Sequence, residues 1–179
     1  MAAMLCLAGV ASAGAAAPAD ALARAAISGT LAEPPTLLLP VQGITPSELR
    51  DTFSDGREGG QRGHEAIDIP APTGTPVLAA DDGRIVKLFL SKPGGITVYQ
   101  FDPSGRLAYY YAHLERYADG LAEGQAVRRG SVIGYVGATG NANTDAPHLH
   151  FAIFRLGPEK QWWKGEPVNP FPYLGGRQP

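Results

Sequence analysis

The chain has 179 residues, of which 44% are hydrophobic, and its formal net charge is −2 at neutral pH. This length fits one domain of ordinary size, and the apolar content is enough to build a sizeable core. A nearly neutral chain carries no basic footprint for nucleic acid and lacks the charge that holds proteins on anionic membrane surfaces. The 23 glycines and 16 prolines punctuate turns, which favours many short strands over long helices.

The first 33 residues are interpreted as a targeting segment and a linker. Residues 1–17 are apolar and Ala-rich, with an A-x-A pattern at 11–13, which is typical of a secretory signal. The mature chain is then expected to begin at or near Gly14; the alternative is a disordered Ala-rich tail. The stretch is too short to span a bilayer as a helix. Residues 18–33 are predicted to be an Ala-rich linker, either a short helix or disordered.

Cys6 is the only cysteine, and it would leave with the signal segment. The mature chain would then have neither a disulfide framework nor a thiolate metal site. Any zinc ion must therefore be held by histidine and carboxylate side chains.

From residue 34 onward the sequence consists of short apolar runs and turns. An apolar run at 36–39 is followed by one helical turn near 47–50 and by a polar, Gly-rich loop at 56–63. Asp82 and Gly83 form a dipeptide that predicts a hairpin turn. The Pro-rich tail beyond Pro167 is expected to extend over the surface. The predicted strands comprise residues 76–80, 84–90, 96–101, 106–114, 131–136 and 148–156. Short strands separated by turn signals predict an all-β, antiparallel domain.

His148 and His150 form an H-x-H pattern on the last predicted strand. Residues i and i+2 of a strand share a face and lie about 7 Å apart at Cα. Both rings could bind one metal, or one could bind while the other faces a substrate. Leu149 and Phe151 are expected to point into the core on the opposite face. The alternative is a pair of surface histidines.

The other two histidines give weaker patterns. His64 and Asp68 form H-x-x-x-D, for which a bent loop leading into a strand is favoured over a helix, and a loop histidine with a turn carboxylate is the alternative. His113 lies near the end of an aromatic strand and is expected on the same face as Tyr109 and Tyr111; a lone histidine there is more often structural. Together, the three patterns use every histidine and can supply the three ligands of a catalytic zinc.

Five motifs follow one another between residues 64 and 151: HEAIDI at 64–69, APTGTPV at 71–77, YAHL at 111–114, GYVGATG at 134–140 and PHLHF at 147–151. In this order and spacing they resemble the lysostaphin/LytM-type zinc metallopeptidases, also called the β-lytic metallopeptidase family, which cut peptidoglycan peptides. The resemblance covers residues 50–156. It implies a compact antiparallel β-sheet or sandwich within a single zinc peptidase domain over 34–179, which includes a C-terminal extension.

The resemblance also implies the roles of the site residues. His64, Asp68 and His150 would bind zinc, and His113 and His148 would be the catalytic residues beside the water that zinc activates. One of these two would take the water's proton, and an imidazolium could stabilise the oxyanion or protonate the leaving amine. The chain departs from the family's usual residues at Ala66, Ala146 and Ala152, none of which is a ligand position.

The implied function is hydrolysis of peptide crosslinks in peptidoglycan by a monomeric enzyme that is periplasmic or secreted. Peptidoglycan peptides are the expected partner, with neither nucleic acid nor stable membrane insertion. One alternative is a wall-binding regulator of amidases, because some similar proteins have lost the zinc ligands; the complete ligand set here argues against it. Another alternative is a zinc peptidase for proteins outside the wall.

Residues 34–56 precede the first ligand and carry Leu37, Leu38 and Leu39, which favour burial. The segment is expected to pack on the β core as a structural strand. The alternative is that it lies across the substrate groove and occludes the metal.

Overall fold

The computed structural model describes residues 36–57 and 62–175, all within the compact unit Ala32–Pro179. The signal-like segment 1–17, with Cys6, and the linker 18–33 lie outside the described residues. No helix in the described part of the chain is long and apolar enough to cross a membrane.

Short strands dominate the described residues, as their glycine and proline content predicts. Short 3-10 helices span Pro46–Glu48 and Phe171–Leu174. The strands are β1 (Gly56–Arg57), β2 (Arg62–Gly63), β3 (Ile67–Pro70), β4 (Pro76–Leu78), β5 (Gly83–Ser91), β6 (Gly95–Phe101), β7 (Leu107–Tyr117), β8 (Ala126–Val127), β9 (Val132–Val136), β10 (His148–Leu156) and β11 (Gly165–Val168).

Nine of these strands form one antiparallel sheet. Its main path runs β11-β10-β7-β6-β5-β8, while β3 pairs with β10, and β9 pairs with both β7 and β4. β1 and β2 form a separate two-stranded ribbon within the segment predicted to be a plain loop. The prediction of an all-β antiparallel fold is confirmed.

One face of the sheet packs against the core. Alternate residues of the two central strands supply its large side chains, which are Tyr109 and Tyr111 on β7 and Leu149, Phe151 and Ile153 on β10, each fully buried. The buried Tyr111 hydroxyl donates to Gln100 Oε1 at 2.9 Å and accepts the Ala80 N–H at 3.0 Å, so this polar group is satisfied. The opposite face of β10 is left to His148 and His150, as the alternation predicts.

A bulge in β7 overturns the expectation that His113 shares a face with Tyr109 and Tyr111. The β6–β7 register shifts between Ile96 and Val98, and His113 has a φ of 60°. The extra residue reverses the alternation, since a bulge places two residues opposite one. As a result Leu114 is fully buried in the core with Tyr111, and His113 turns to the other face.

The segment before the first strand packs on the core. Leu37 and Val41 are 4% and 2% exposed, and Val41 forms an isolated bridge with Val77 of β4. The Leu37 N–H donates to the Tyr173 carbonyl at 2.8 Å, and the Leu38 N–H donates to the Ala80 carbonyl at 2.9 Å. Of the two alternatives for this segment, the described residues adopt the packed one.

Two expectations about turns and tail are wrong. Asp82 and Gly83 do not join a hairpin, because β4 pairs with β9 whereas β5 pairs with β6 and β8. The C-terminal part of the described chain does not simply extend over the surface, since Leu174 is 2% exposed and belongs to the core. β11 and β8 were missed because four or two residues carry too little periodic signal.

Replacing Leu37 tests the packing of the N-terminal segment. We expect Leu37→Ala to lower the free energy of unfolding by about 2–5 kcal/mol, because it leaves a cavity in the core. Leu38→Ala is the matched control, since the Leu38 side chain is only partly buried and lies outside the core cluster. Urea unfolding of both variants measures the difference. An equal, small loss in the two variants would contradict the packing described here.

Candidate metal and proton-transfer site

The site is assembled where β10 lies between β3 and β7. In the antiparallel register, His150 is opposite Asp68 of β3 on one side and Ala112 of β7 on the other. His148 is opposite Pro70, two residues along β3. A strand pairing therefore brings together His150 and Asp68, which are 82 residues apart in sequence.

His64 completes a compact cluster with these two residues. Its Nε2 lies 3.0 Å from Asp68 Oδ1 and 3.0 Å from His150 Nδ1, and the His150 Nδ1 lies 3.0 Å from the same carboxylate oxygen. His64 is buried, and Asp68 and His150 are half-buried. Among the described residues, this is the group of histidine, cysteine and acidic side chains close enough to hold a metal ion.

The chemistry of this cluster fits a metal ion. The Thr52 carbonyl oxygen, 2.9 Å from His64 Nδ1, can only accept, so it fixes a proton on Nδ1. With a proton on Nδ1, the ring leaves Nε2, 3.0 Å from Asp68 Oδ1, as the atom that can share a cation with the carboxylate, either a proton or a metal ion. A tetrahedral ion about 2.0–2.1 Å from each ligand atom keeps those atoms about 3.3 Å apart, close to the spacing found here.

The electrostatics give the protonation states that metal binding requires. Burial by itself raises the pKa of Asp68, but hydrogen bonds and charge from His150 and His64 outweigh it and hold the pKa well below its usual range. Burial lowers the pKa of His150, while the Asp68 carboxylate opposes this shift. Asp68 is thus a carboxylate, and His150 favours its neutral form, which has one ring nitrogen without a proton.

His113 joins the site through the bulge in β7. Its ring centroid is 5.1 Å from that of His148 and 5.5 Å from that of His150. Its Nδ1 donates to the Thr139 carbonyl at 2.8 Å, which leaves the Nε2 as an acceptor. Burial lowers the pKa of His113 to about 4, against the opposing effect of the Thr139 carbonyl. The ring is therefore neutral at pH 7.

His148 is held in the same way on the other side of the cluster. Its Nδ1 donates to the Ala146 carbonyl at 2.9 Å, and its Nε2 lies 3.7 Å from Asp68 Oδ1. The structure thus brings together all five residues that the sequence singled out. Three form the tight cluster, and two present an Nε2 acceptor beside it.

Thr52 and Thr139 contact the candidate site residues in a way that the sequence did not predict. Each acts through its backbone carbonyl, which every residue possesses, so no side-chain pattern identified them. Their hydroxyls add support: Thr52 Oγ1 accepts the Asp68 N–H at 3.1 Å, and Thr139 Oγ1 donates to the Leu114 carbonyl at 2.7 Å while accepting the Ile96 N–H at 3.0 Å. The one sequence feature that pointed to Thr139 is its position in the GYVGATG motif, next to Gly140.

The site lies in an open cleft of about 760 Å³. Asn141, Ala142 and Asn143 form part of its rim, so the loop before β10 lines the groove rather than only connecting two strands. Ala146 and Ala152, two of the positions that depart from the family's usual residues, also line it. Their small side chains leave space beside the histidines.

Comparisons with known proteins agree with this geometry. The sequence profile described as Peptidase family M23 matches residues 62–170. The L-Ala–D-Glu endopeptidase of Bacillus subtilis (strain 168) is 33% identical over 142 residues, which is 76% of this chain and 41% of the relative. The DD-carboxypeptidase/endopeptidase Mpg of Neisseria meningitidis serogroup B (strain ATCC BAA-335 / MC58) is 40% identical over 108 residues, which is 60% of this chain and 22% of the relative.

Among solved structures, the catalytic domain of the antimicrobial peptidase lysostaphin from Staphylococcus simulans superposes with a TM-score of 0.60 at 28% identity. The match covers 72% of this chain and 92% of that domain. The resemblance inferred from the five motifs is confirmed. This chain spans less than half the length of the two curated relatives.

Gly140 allows the loops around His113 to close. Gly140 has a φ of 78°, and a Cβ there would overlap the Pro93 carbonyl oxygen and the Gly95 nitrogen. The neighbouring Asn141 N–H donates to the same Pro93 oxygen at 3.0 Å. This close approach holds the Thr139 carbonyl against the His113 ring.

Replacing Gly140 tests this contact. We expect Gly140→Ala to lower the free energy of unfolding by about 1–3 kcal/mol from overlap, in addition to about 1–2 kcal/mol from the left-handed backbone. Gly120→Ala is the matched control, because Gly120 has a φ of 74° with nothing within 4 Å of its added Cβ. Urea unfolding gives both values, and the His113 Nδ1 proton, which is donated to the Thr139 carbonyl, should exchange faster with solvent only in Gly140→Ala. Equal stability losses would show that the loops do not depend on this glycine.

Proposed function

Because the chain belongs to peptidase family M23, we propose that it is a zinc-dependent metalloendopeptidase that hydrolyses the peptide crosslinks of peptidoglycan. The observation that carries the proposal is the cluster of His64, Asp68 and His150, flanked by two imidazoles that both present Nε2 to it. Metal ligands and proton acceptors thus meet in one open cleft.

In this proposal, His64, Asp68 and His150 hold the zinc ion. Two imidazole nitrogens and one carboxylate oxygen suit zinc and match the three-ligand sets of catalytic zinc sites. Zinc supplies a Lewis acid that polarises the scissile carbonyl and makes water a nucleophile near neutral pH. The Thr52 carbonyl orients the His64 ring and raises its basicity as a ligand.

His113 and His148 are the proposed proton-transfer residues. Each ring is fixed by a carbonyl on Nδ1, so its Nε2 is ready to accept a proton from the attacking water. The ring that accepts the proton becomes an imidazolium, which can stabilise the developing oxyanion or protonate the leaving amine. The rings are 5.1 Å apart, so both reach the same scissile peptide.

The names of the two curated relatives support the substrate, since both are endopeptidases and one is named for cutting an L-Ala–D-Glu bond. D-amino acids are typical of the wall peptide rather than of ribosomal protein. The signal-like residues 1–17 support a periplasmic or secreted location, where peptidoglycan is accessible. We propose that the enzyme acts there as a monomer.

A non-catalytic regulator of wall amidases is the second candidate. Such a protein needs no metal ligands, whereas this cleft retains a complete donor set and both flanking histidines. Hydrolysis by the purified protein separates the two candidates, because a regulator alone releases no peptides.

Zinc binding should stabilise the native protein through the three proposed ligands. At a free zinc concentration of 100 times Kd, the wild type should gain about 2.7 kcal/mol, seen as a higher Tm in a thermal unfolding scan. His64→Ala, Asp68→Ala and His150→Ala should lose this gain. Asp145→Ala is the control, because Asp145 is an exposed carboxylate in the loop that leads to β10. Near-full zinc occupancy in any ligand variant would contradict the assignment.

His113→Ala and His148→Ala should retain zinc yet lose hydrolysis by about 10²–10⁴-fold, because each removes a proton-transfer group and no ligand. The measurement is digestion of purified peptidoglycan, with mass spectrometry of the released peptides to identify the bond cut. Zinc content is determined in the same samples. Loss of metal in either variant, with retention in His64→Ala, would reverse the assigned roles.

A further inference from the structure

Beyond the cleft, four aromatic side chains form a continuous patch, which we call the aromatic platform: Phe89, Tyr99, Trp162 and Trp163. The Trp162 ring lies 5.3 Å from Phe89, 4.8 Å from Tyr99 and 5.2 Å from Trp163. The first two residues lie on β5 and β6, and the tryptophans lie in the loop between β10 and β11.

The platform lies on the same face of the sheet as the cleft. Tyr99 of β6 is opposite Tyr110 of β7, and Tyr110 is opposite Ala152 of β10. Tyr110 and Ala152 both line the cleft. Residues directly opposite in an antiparallel sheet share a face. The Tyr110 ring connects the two regions, at 4.6 Å from Tyr99 and 6.0 Å from His150.

Packing accounts for Trp162 but not for Trp163. Trp162 is half-buried and covers Phe89 and Tyr99, as a lid on apolar rings would. Trp163 is 61% exposed, and Phe89 beneath the loop is still 39% exposed. An exposed aromatic patch that continues into a cleft marks a binding surface.

We propose that the aromatic platform binds the sugar rings of the glycan strand while a crosslink is held at the metal site. This inference rests on the proposed function. Tryptophan and tyrosine rings offer flat apolar faces with polar tips, and pyranose rings offer the complementary flat C–H faces beside hydroxyls. The exposed apolar surface of the platform comes from Phe89 and Trp163, both flat aromatic rings that can stack on a sugar.

The distances suit such a substrate. A wall peptide of about four residues, fully extended, spans at most roughly 13–14 Å. Three ring contacts, of 6.0, 4.6 and 4.8 Å, lead from His150 through Tyr110 and Tyr99 to Trp162. The ring-to-ring path is thus comparable in length to one extended wall peptide, so the two regions are spaced on the scale of a peptide bond and the sugar that carries the same peptide.

Intrinsic fluorescence tests the proposal, because Trp162 and Trp163 are the only two tryptophans in the chain. Titration with β-1,4-linked N-acetylglucosamine oligomers, and with glycan strands stripped of peptide, should shift the emission of the wild type. Trp163→Ala should bind about 3–10-fold more weakly, with Trp162 as the remaining reporter, and Trp163→Phe should recover most of the affinity. Leu90→Ala is the control, because Leu90 is 72% exposed on the same strand as Phe89 but faces the other side of the sheet.

Hydrolysis then separates this proposal from the proposed function. Trp163→Ala should hydrolyse intact peptidoglycan about 3–10-fold less efficiently in kcat/KM, yet cleave a sugar-free crosslinked peptide like the wild type. If the wild type binds glycan but hydrolyses nothing, the proposed function is wrong, whereas the proposal that the platform binds glycan is retained. Equal glycan affinity of the wild type and Trp163→Ala would overturn the platform proposal. Sedimentation gives a second test: the proposal is also wrong if the wild type self-associates, Trp163→Ala abolishes that self-association, and glycan binding is unaffected.

Discussion

The site depends on the register in which β10 lies between β3 and β7. This register places His150 opposite Asp68 and leaves His148 on the same face. A slip of one residue would turn both histidines into the core and expose Leu149 and Phe151. Those two side chains are fully buried, and each contributes about 1.5–3 kcal/mol relative to exposure, so packing on one face fixes the positions of the two histidines on the other. The placement of His150 beside Asp68 and the burial of Leu149 and Phe151 are therefore two consequences of one alternation.

Backbone carbonyls provide the second constraint. The carbonyls of Thr52, Thr139 and Ala146 each accept a hydrogen bond from the Nδ1 of a different histidine, and they direct three Nε2 atoms into the cleft. These imidazoles need no change of tautomer before they bind a cation or accept a proton. The loops that supply the carbonyls are held by close contacts, such as that of Gly140 with Pro93. These contacts hold the three carbonyls in place beside the histidines, as a preorganised site requires.

Most strand positions and the five candidate site residues could be predicted because each rests on side-chain type and spacing. The alternation at 148–151 predicts which β10 residues face the core, and the five motifs identify the family. The position of His113 could not be predicted in this way. A bulge is a backbone event, and nothing in the side chains around 112–114 marks the residue at which the alternation reverses. The strands β8 and β11 were missed for a related reason, since their pairing comes from tertiary contacts rather than local pattern.

Small and large residues alternate across the cleft face of the sheet, and this alternation links the metal cluster to the aromatic platform. In the β7–β10 register, Ala152 lies opposite Tyr110, Ala108 opposite Phe154, and Ala112 opposite His150. Each ring thus has a methyl group as its cross-strand neighbour, so the ring can lie over the sheet without collision. Larger side chains at Ala112 and Ala152, which line the cleft, would occupy part of its volume. The same face continues to Tyr99 of β6, against which the Trp162 ring lies at 4.8 Å, so the alanine-lined cleft and the aromatic platform are neighbours on one surface.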